Sequence, residues 1–370
     1  MRILFCRSNP IDPDPRVEKE AVALSEAGHQ VQAVAWDRSG ELPATEEKLG
    51  FQIQRIAIRA SFGHGMGNLP ALLRWQFALL LWLIRQRKTY DVLHACDFDT
   101  IIPAMICKLF FQKRVVYDIF DFYADHLRST PAPVKALIRK LDLFVIGLAN
   151  ATILVDEARR EQIKGAHPKQ LHYIYNAPEQ TQTAAPKKQK EYQFHIVYVG
   201  LLQIERGLLE LLDVLKKYPQ WHLDLAGFGG DQEQICARAT NLTNVSWHGR
   251  ITYEETIRLS AQADALIATY DPSIPNHRYS SPNKLFEAML LARPIVVAQG
   301  TNMDNIVIEQ GCGLVVPYAD IDALEKAFLR LAKDPELCQK LGENGRKAYE
   351  TRYGWPIMKI RLQQLYQTIS

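Results

Sequence analysis

The sequence predicts an α/β protein made of two doubly wound parallel sheets that face a cleft. The chain has 370 residues, which is more than one hydrophobic core usually supports. Short apolar runs alternate with helically periodic segments along most of it, as in parallel sheets covered by helices. A polar stretch interrupts this alternation. We therefore expect domains over residues 1–180 and 194–354, a linker over 181–193, and a final helix over 355–370 that packs back on the first domain.

The strands of the first domain are predicted from short apolar runs. They are residues 2–6, 30–36, 91–96, 114–119 and 151–156. Segments with helical spacing, such as 17–27 and 132–148, lie between them. Strands that alternate with helices pair in parallel, so this half is expected to be Rossmann-like.

The same alternation restarts after the polar stretch "PEQTQTAAPKKQKEYQ". The strands predicted there are residues 194–200, 222–229, 244–249, 265–270, 294–299 and 313–318. A second Rossmann-like sheet follows, and open α/β sheets bind ligands at the carboxyl ends of their strands. The chemistry is therefore expected in the loops that follow strands.

Composition and cysteine spacing favour a globular protein of a reducing compartment. Apolar residues make up 47% and charged residues 23% of the chain. The six cysteines are far apart and form no CxxC pair, which argues against a zinc site and against a disulfide framework. The opening "MRILFCRSNP" is too short for a signal-peptide core, so we expect a cytoplasmic protein that is not exported.

Positive charge is concentrated in the first half of the chain. The net charge of the whole is +3, whereas residues 51–190 carry about +9, which favours an anionic partner. Within this region the segment 69–88 has an uninterrupted apolar run of only about eight residues, too short to span a bilayer. It is predicted either to lie on the inner face of the membrane or to be a core helix of the first domain.

Two positions in the second domain combine a cation with a predicted helix start. Arg206 and Gly207 follow the strand that Gly200 closes, so the guanidinium can meet a phosphate there; an exposed surface arginine is the alternative. Lys284 and Glu287 follow Pro282, with Ser280 and Ser281 as expected caps. Such a helix start can hold a diphosphate, and the Glu287 carboxylate can bind a ribose. The alternative is a salt bridge between Lys284 and Glu287 at the helix start.

Other motifs are less specific. "DLAGFGGDQ" departs from a dinucleotide fingerprint, although its glycines allow a close approach to the backbone. "WHGRITYEE" can supply backbone groups to a base around Arg250 and Ile251. The acidic motifs at 12–14, 97–99 and 118–121 could bind a metal diphosphate, but such motifs are common by chance. The absence of HExxH, GxSxG and a P-loop gives no support to metalloproteases, serine hydrolases or P-loop NTPases.

The chain resembles glycosyltransferase family 4, a family of retaining enzymes with the GT-B fold. The resemblance rests on Gly200 with Arg206 and Gly207, on "AGFG", "HGRI" and Asp264, and above all on "SPNKLFEAMLLARPIVV". In the first half, "DPRVEKEAVALSEAGHQV" is similar to the opening of the family's first domain. It covers almost the whole chain.

The resemblance implies a nucleotide-sugar donor, linked to UDP or GDP, in the second domain. It assigns Arg206 and Lys284 to the diphosphate as the catalytic cations and Glu287 to the ribose. The remaining donor-side residues are Ser281, Pro282, Asn283, Tyr279, Gly229, Arg250 and Ile251. Acceptor-side candidates in the first domain are Asp14, Arg16, Asp97 and Asp121.

Two positions depart from the family pattern. Tyr279 stands where the family usually has a glutamate that contacts the donor sugar, and Phe120 with Asp121 replaces a D-x-H arrangement. The predicted function is metal-independent transfer of a sugar to a lipid-linked or glycan acceptor in cell-surface polysaccharide synthesis, without cofactor or nucleic-acid partner. The alternatives are a sugar-nucleotide epimerase of the same architecture and an inactive nucleotide-sugar-binding protein.

Overall fold

The structure is a computed structural model that describes residues 1–60, 68–127, 130–179 and 192–369. The chain divides into two compact units, Met1–Tyr175 with Met358–Ser370, and Asn176–Ile357. Most of the predicted linker, residues 181–193, lies outside the described residues. The domain bounds drawn from the sequence stay predictions.

The first unit is built on an eight-stranded sheet. Its strands are β1 (Arg2–Arg7), β2 (Gln30–Asp37), β3 (Thr45–Lys48), β4 (Phe51–Ala57), β5 (Val92–Cys96), β6 (Arg114–Ile119), β7 (Ala151–Leu154) and β8 (Leu171–Tyr173). Their order is β3-β4-β2-β1-β5-β6-β7-β8, and all neighbours pair in parallel except β3 with β4. Every residue of β5 is buried, as expected for a strand with both faces covered.

Helices flank this sheet and fill its core. They are α1 (Pro15–Glu26), α2 (Leu69–Arg85), α3 (Phe98–Phe111), α4 (Tyr123–His126) and α5 (Ala132–Leu148). α2 buries Trp75, Leu79 and Leu83 in the core, as the core-helix alternative expects. The opposite side of the same helix leaves Leu73 and Phe77 exposed. None of the helices in the described part of the chain is both long and apolar enough to cross a membrane.

The second unit is built on a six-stranded parallel sheet. Its strands are β9 (Phe194–Leu201), β10 (Trp221–Phe228), β11 (Val245–Trp247), β12 (Ala265–Ala268), β13 (Ile295–Ala298) and β14 (Gly313–Val316), in the order β11-β10-β9-β12-β13-β14. The helices are α6 (Leu208–Lys217), α7 (Gln232–Ala239), α8 (Tyr253–Gln262), α9 (Pro275–Arg278), α10 (Asn283–Leu290), α11 (Asn302–Gln310), α12 (Ile321–Lys333) and α13 (Pro335–Ala348). Two doubly wound parallel-sheet α/β units confirm the predicted fold class.

The final helix, α14 (Trp355–Thr368), leaves the second unit at Ile357 and continues in the first. There the Tyr366 hydroxyl lies 2.8 Å from Nδ1 of His94, and the amide of Gln363 donates to the Ala23 carbonyl. Both Tyr366 and His94 are fully buried. The helix is therefore part of the core of the first unit.

Candidate functional site

The second unit places a buried ammonium at the start of α10. Lys284 is the second residue of this helix and is only 8% exposed. Its Nζ lies 3.7 Å from the centre of the Tyr198 ring and 5.5 Å from that of Tyr270. Within the described part of the chain this Nζ makes no hydrogen bond. A buried ammonium normally has polar partners, so this atom is suited to receive an anion.

Arg206 lies against the same aromatic ring. It ends the 3-10 turn Ile204–Arg206, and its guanidinium carbon is 3.8 Å from the centre of the Tyr270 ring. Gly207 then takes a left-handed conformation, and a Cβ there would lie 2.3 Å from Oγ1 of Thr269. Only glycine fits both constraints. The local fold thus brings the two predicted cations together at Tyr270.

The electrostatics of this pair favour an anionic ligand. Burial, and then the positive charge of Arg206, hold the pKa of Lys284 well below its usual range, while Glu287 acts in the opposite direction. The Lys284 ammonium is therefore destabilised by Arg206 until a negative charge lies between or beside them. A ligand that carries several negative charges, such as a diphosphate, fits this arrangement.

Glu287 lies one turn further along α10 and is 5% exposed. Burial, and then the charge of Glu287 and its hydrogen bond with the Tyr253 hydroxyl, raise the pKa of Tyr253. Since the Lys284 ammonium makes no hydrogen bond in the described residues, it makes none with Glu287. The charge of Glu287 nevertheless raises the pKa of Lys284, so the salt-bridge alternative stays open.

The sequence did not predict Tyr253 as a site residue. It begins α8, directly after the capping box that Thr252 and Glu255 form. The predicted base-binding pair, Arg250 and Ile251, lies in the loop just before it. The bond from Tyr253 to Glu287 therefore links this loop to α10. The only sequence signal for it was the aromatic residue in "HGRITYEE".

The start of α10 differs from the prediction in its cap. Pro282 is the N-cap and offers no side-chain hydrogen bond, so Ser280 and Ser281 were wrongly expected to cap the helix. The Ser281 hydroxyl instead accepts a hydrogen bond of 3.4 Å from Asn302. The N-cap side chain therefore binds none of the amides of the first turn, which begins at Asn283, and these amides can face a ligand.

The remaining donor-side residues differ in their surroundings. A Cβ on Gly229 would lie 2.5 Å from the carbonyl oxygen of Leu202, so the close approach at this glycine is to protein backbone. Arg250 is exposed, with its guanidinium carbon 5.0 Å from the centre of the Phe228 ring. Tyr279 is half-buried, directly after the short helix α9. Their contacts with a donor stay predictions.

The first unit collects the acceptor-side candidates at the carboxyl ends of β1, β5 and β6. Arg7 bridges Asp14 and Asp97, at 2.8 and 2.5 Å, and its guanidinium carbon is 4.1 Å from the centre of the Phe120 ring. Asp14 also caps α1. Arg7 was not predicted, although it ends the first strand, where ligand-binding loops begin.

Asp97 combines a left-handed backbone conformation with a raised carboxyl pKa. Its backbone has a φ of 63°, and its carboxylate accepts from the Phe120 amide at 2.8 Å. Burial raises the pKa of Asp97 to about 6, against the opposing effects of Arg7 and of that amide. A carboxyl group that titrates near neutral pH at a strained position is typical of functional sites.

Arg16 and Asp121 have other partners. Arg16 is 4% exposed and binds both oxygens of Asp118, a carboxylate of Glu20 and the carbonyl of Ile174. Asp121 is exposed and accepts from Arg159 at 2.8 Å. The structure thus brings Asp14 and Asp97 together through Arg7, while the Arg16 guanidinium lies inside the sheet core.

Solved structures with the same fold include a sucrose-phosphate synthase and HepE. Sucrose-phosphate synthase from Thermosynechococcus elongatus superposes with a TM-score of 0.79 over 100% of this chain and 99% of that one, at 16% identity. HepE from Anabaena, in complex with UDP, gives a TM-score of 0.74 over 100% and 99%, at 15% identity. Both units of the chain therefore have the fold of these proteins.

Family models agree with the GT-B class that the resemblance implies. The model of "Glycosyltransferase Family 4" matches residues 16–178, and that of "Glycosyl transferases group 1" matches residues 179–348. Because the two together cover almost the whole sequence, the chain belongs to the glycosyltransferases of family 4 type. This confirms the resemblance inferred from the sequence.

Two curated relatives are similar to less than half of the chain. A capsular polysaccharide biosynthesis glycosyltransferase, CapM of Staphylococcus aureus, is 24% identical over 47% of this chain and 46% of its own length. A GDP-mannose-dependent monoacylated α-(1-6)-phosphatidylinositol monomannoside mannosyltransferase of Corynebacterium glutamicum is 26% identical over 42% of this chain and 41% of its own. The matched part is less than half of either relative.

Proposed function

We propose that the protein is a retaining, metal-independent glycosyltransferase that uses a UDP- or GDP-linked sugar. The observation that carries this proposal is the buried ammonium of Lys284, which makes no hydrogen bond in the described residues and lies beside Arg206. Departure of a nucleoside diphosphate builds negative charge on phosphate oxygens. Fixed cations in a buried site stabilise that charge more than they stabilise the bound donor.

The proposed mechanism needs no protein nucleophile. The diphosphate binds Arg206, Lys284 and the amides at the start of α10, while Glu287 accepts hydrogen bonds from the ribose hydroxyls. The leaving phosphate then takes the proton of the acceptor hydroxyl on the same face of the sugar. Because the two side-chain cations supply the positive charge, we propose that no metal ion is required.

The proposed acceptor is a glycan or a lipid-linked sugar of cell-surface polysaccharide synthesis, bound by the first unit near Asp14 and Asp97. The name of the Staphylococcus relative, a capsular polysaccharide biosynthesis enzyme, supports the pathway class. The name of the Corynebacterium relative, which acts on a phosphatidylinositol mannoside, supports a lipid-linked acceptor. The bound UDP in HepE supports a nucleotide-linked donor.

A membrane contact is supported by one face of α5. Val134, Leu137, Leu141 and Phe144 recur at helical spacing and are all exposed, Leu137 by 67% and Phe144 by 63%. We call these four residues the α5 stripe. Exposed Lys140 lies on the same helix, in the half of the chain with excess positive charge. An anionic lipid surface satisfies both the apolar and the basic groups.

The donor assignment is tested by a thermal-shift screen of UDP, GDP and their sugars, followed by transfer assays. We expect one base to raise the melting temperature. Arg206→Ala and Lys284→Ala should abolish transfer while circular dichroism stays unchanged, and EDTA should have no effect. Transfer that survives either substitution would exclude the proposed mechanism. Donor turnover without acceptor would indicate an epimerase, and binding without turnover an inactive protein.

The membrane contact is tested by sedimentation with vesicles of phosphatidylglycerol and phosphatidylcholine. We expect the wild type to bind the anionic vesicles and Leu137→Glu/Phe144→Glu to lose most of that binding. Ile308→Glu is the matched control, because Ile308 is equally exposed at 68% but lies on α11 in the second unit. Equal binding by the stripe variant and the control would refute the contact.

A further inference from the structure

Three imidazole rings converge on one carboxylate in the second unit, in a group that the proposed transfer does not use. His195 of β9 and His222 of β10 are register partners in the parallel sheet. Asp224 lies two residues further along β10, so its side chain is on the same face as that of His222. His248 directly follows β11, and its amide donates to the Leu225 carbonyl. We call these four residues the histidine cluster.

All three rings present the same nitrogen to the carboxylate. Nε2 of His195 lies 2.7 Å from Oδ2 of Asp224, while Nε2 of His248 and of His222 lie 2.6 and 3.4 Å from Oδ1. The ligand atoms of His195, His222 and Asp224 are all within 4.8 Å of one another. Two neighbouring strands therefore bring three potential ligands together, and the loop after a third strand places the His248 imidazole against the same carboxylate.

This donor set matches the preference of zinc. Zn²⁺ binds imidazole nitrogen and carboxylate oxygen at about 2.0–2.2 Å in a tetrahedron, which places neighbouring ligand atoms about 3.3 Å apart. The imidazole-to-carboxylate separations of 2.6–3.4 Å lie within 1 Å of that value, and the ligand atoms of His195, His222 and Asp224 lie within 4.8 Å of one another. The cluster contains neither thiolates nor the several carboxylates that Ca²⁺ and Mg²⁺ prefer.

The surroundings allow entry of an ion and hold the ligands in place. The side chains of His195, His222 and Asp224 are between 7% and 12% exposed, whereas that of His248 is 33% exposed. The Tyr192 ring stacks on His222 with centroids 4.0 Å apart. An ion can therefore reach the group past His248, and three of the four ligands are fixed by packing.

A second group of potential metal ligands in the chain already contains a positively charged side chain. Glu20, His94 and Asp118 in the first unit also bring three potential ligands together. There the Arg16 guanidinium lies 3.1 Å from Glu20 and 2.9 Å from Asp118, so a protein cation already occupies the position. The histidine cluster has no arginine or lysine among its recorded ion pairs in the described residues.

We propose that His195, His222 and Asp224 form a site for Zn²⁺ or for a divalent ion of similar preference, such as Co²⁺, and that His248, which contacts the same carboxylate, becomes the fourth ligand when the ion binds. The ion would join β9 and β10 to the loop after β11. That loop continues into Arg250 and Ile251, the predicted base-binding pair. The site is structural and separate from the diphosphate cations, so it does not depend on the proposed transferase activity.

The test uses the full-length protein without a histidine tag, stripped of metal by a chelator. We expect it to bind one Co²⁺ per chain with the intense visible absorption of a tetrahedral complex, and Zn²⁺ to displace the cobalt and raise the melting temperature. His248→Gln should weaken binding at least tenfold. His172→Gln, which changes a half-buried histidine of β8, should leave binding unchanged.

Folding is checked independently of the metal. His248 is the most exposed of the four ligands, so His248→Gln should keep the circular dichroism spectrum and the metal-free melting temperature of the wild type. Absence of stoichiometric Co²⁺ binding by the wild type would overturn the proposal. So would an octahedral spectrum, or unchanged affinity in a folded His248→Gln variant. Any of these results would identify the group as a purely hydrogen-bonded cluster.

Discussion

Replacement of Lys284 by methionine is expected to stabilise the free protein while it removes donor binding. The ammonium is buried and lies on the faces of Tyr198 and Tyr270, with no hydrogen bond in the described residues. Methionine has a similar length and packs on aromatic rings through its thioether. Lys284→Met therefore removes a buried charge that makes no hydrogen bond in the described residues, and it keeps the packing.

The size of the effect follows from opposing contributions. Burial and the charge of Arg206 lower the pKa of Lys284, and each pKa unit corresponds to about 1.4 kcal/mol against the charged form. The contacts of the ammonium with the Tyr198 and Tyr270 rings offset about 2 kcal/mol of this cost. Replacement of buried charged groups by apolar ones is often neutral or stabilising by about 1–4 kcal/mol. We expect a gain of about 1–3 kcal/mol, or roughly 2–4 °C in melting temperature per kcal/mol.

The gain should depend on pH in a defined direction. Because the folded-state pKa of Lys284 is depressed, the unfolded chain binds more protons between that value and the unfolded pKa of about 10.4. The stability of the wild type therefore rises with pH through this window, as the folded protein loses the cost of the charge. The advantage of Lys284→Met should be largest at neutral pH and smaller at pH 9.

The assay combines thermal melts at both pH values with isothermal titration of UDP and of GDP. The exposed lysine of α12, Lys326, provides the matched control Lys326→Met, which should change neither stability nor affinity. A variant at Lys284 that melts below the wild type would refute the claim that the buried charge destabilises the free protein. Undiminished binding of the nucleotide that the wild type prefers would refute its contact with the diphosphate.

Three further predictions concern other parts of both units. By titration calorimetry, the wild type should bind UDP (or GDP) at least about tenfold more tightly than the 2′-deoxy form of that nucleotide, and Glu287→Gln should lose most of this preference. An unchanged preference in the variant would contradict the ribose contact. Asp97→Asn should lower transfer without altering nucleotide affinity. It should also flatten the stability profile between about pH 4 and 6, since a raised carboxyl pKa gives stability that is lost as pH rises through about 6; a profile identical to the wild type would refute this. Gly229→Ala should lower the free energy of unfolding by about 1–3 kcal/mol in denaturant melts, because its Cβ would meet the Leu202 backbone. Gly230→Ala is the control and should be neutral, since a Cβ there has nothing within 4 Å. Equal losses of stability in the two variants would refute the steric explanation.

The sequence predicted the core strands well because they are buried on both faces. The run at Arg114–Ile119 and the helix at Ala132–Leu148 have the bounds that their apolar pattern indicated. Two strands at one edge of the first sheet, β3 and β4, were missed because their exposed positions carry Glu and Gln and because β4 buries the charged Arg55. The strand at the other edge, β8, has only three residues, too few for a periodic signal.

The sequence could predict those candidate site residues whose position depends only on their own helix or turn. Lys284 and Arg206 could be found in this way, because helix starts after strands bind anions. The Tyr198 and Tyr270 rings beneath them could not, since their approach depends on the pairing of β9 with β12 and on the chain beyond β12. The histidine cluster was likewise hidden, because His195, His222 and His248 are distant in sequence and follow no ligand spacing.

The departure at Phe120 has a structural explanation in the first unit. Its ring lies 4.1 Å from the guanidinium carbon of Arg7 and 4.8 Å from that of Arg16. A histidine at this position would face two guanidiniums, which would oppose its protonation. Phenylalanine instead offers both cations an aromatic face and leaves its amide to bind Asp97. Phe120 therefore holds both guanidiniums through its ring while its amide binds Asp97, the carboxyl group whose pKa burial raises to about 6.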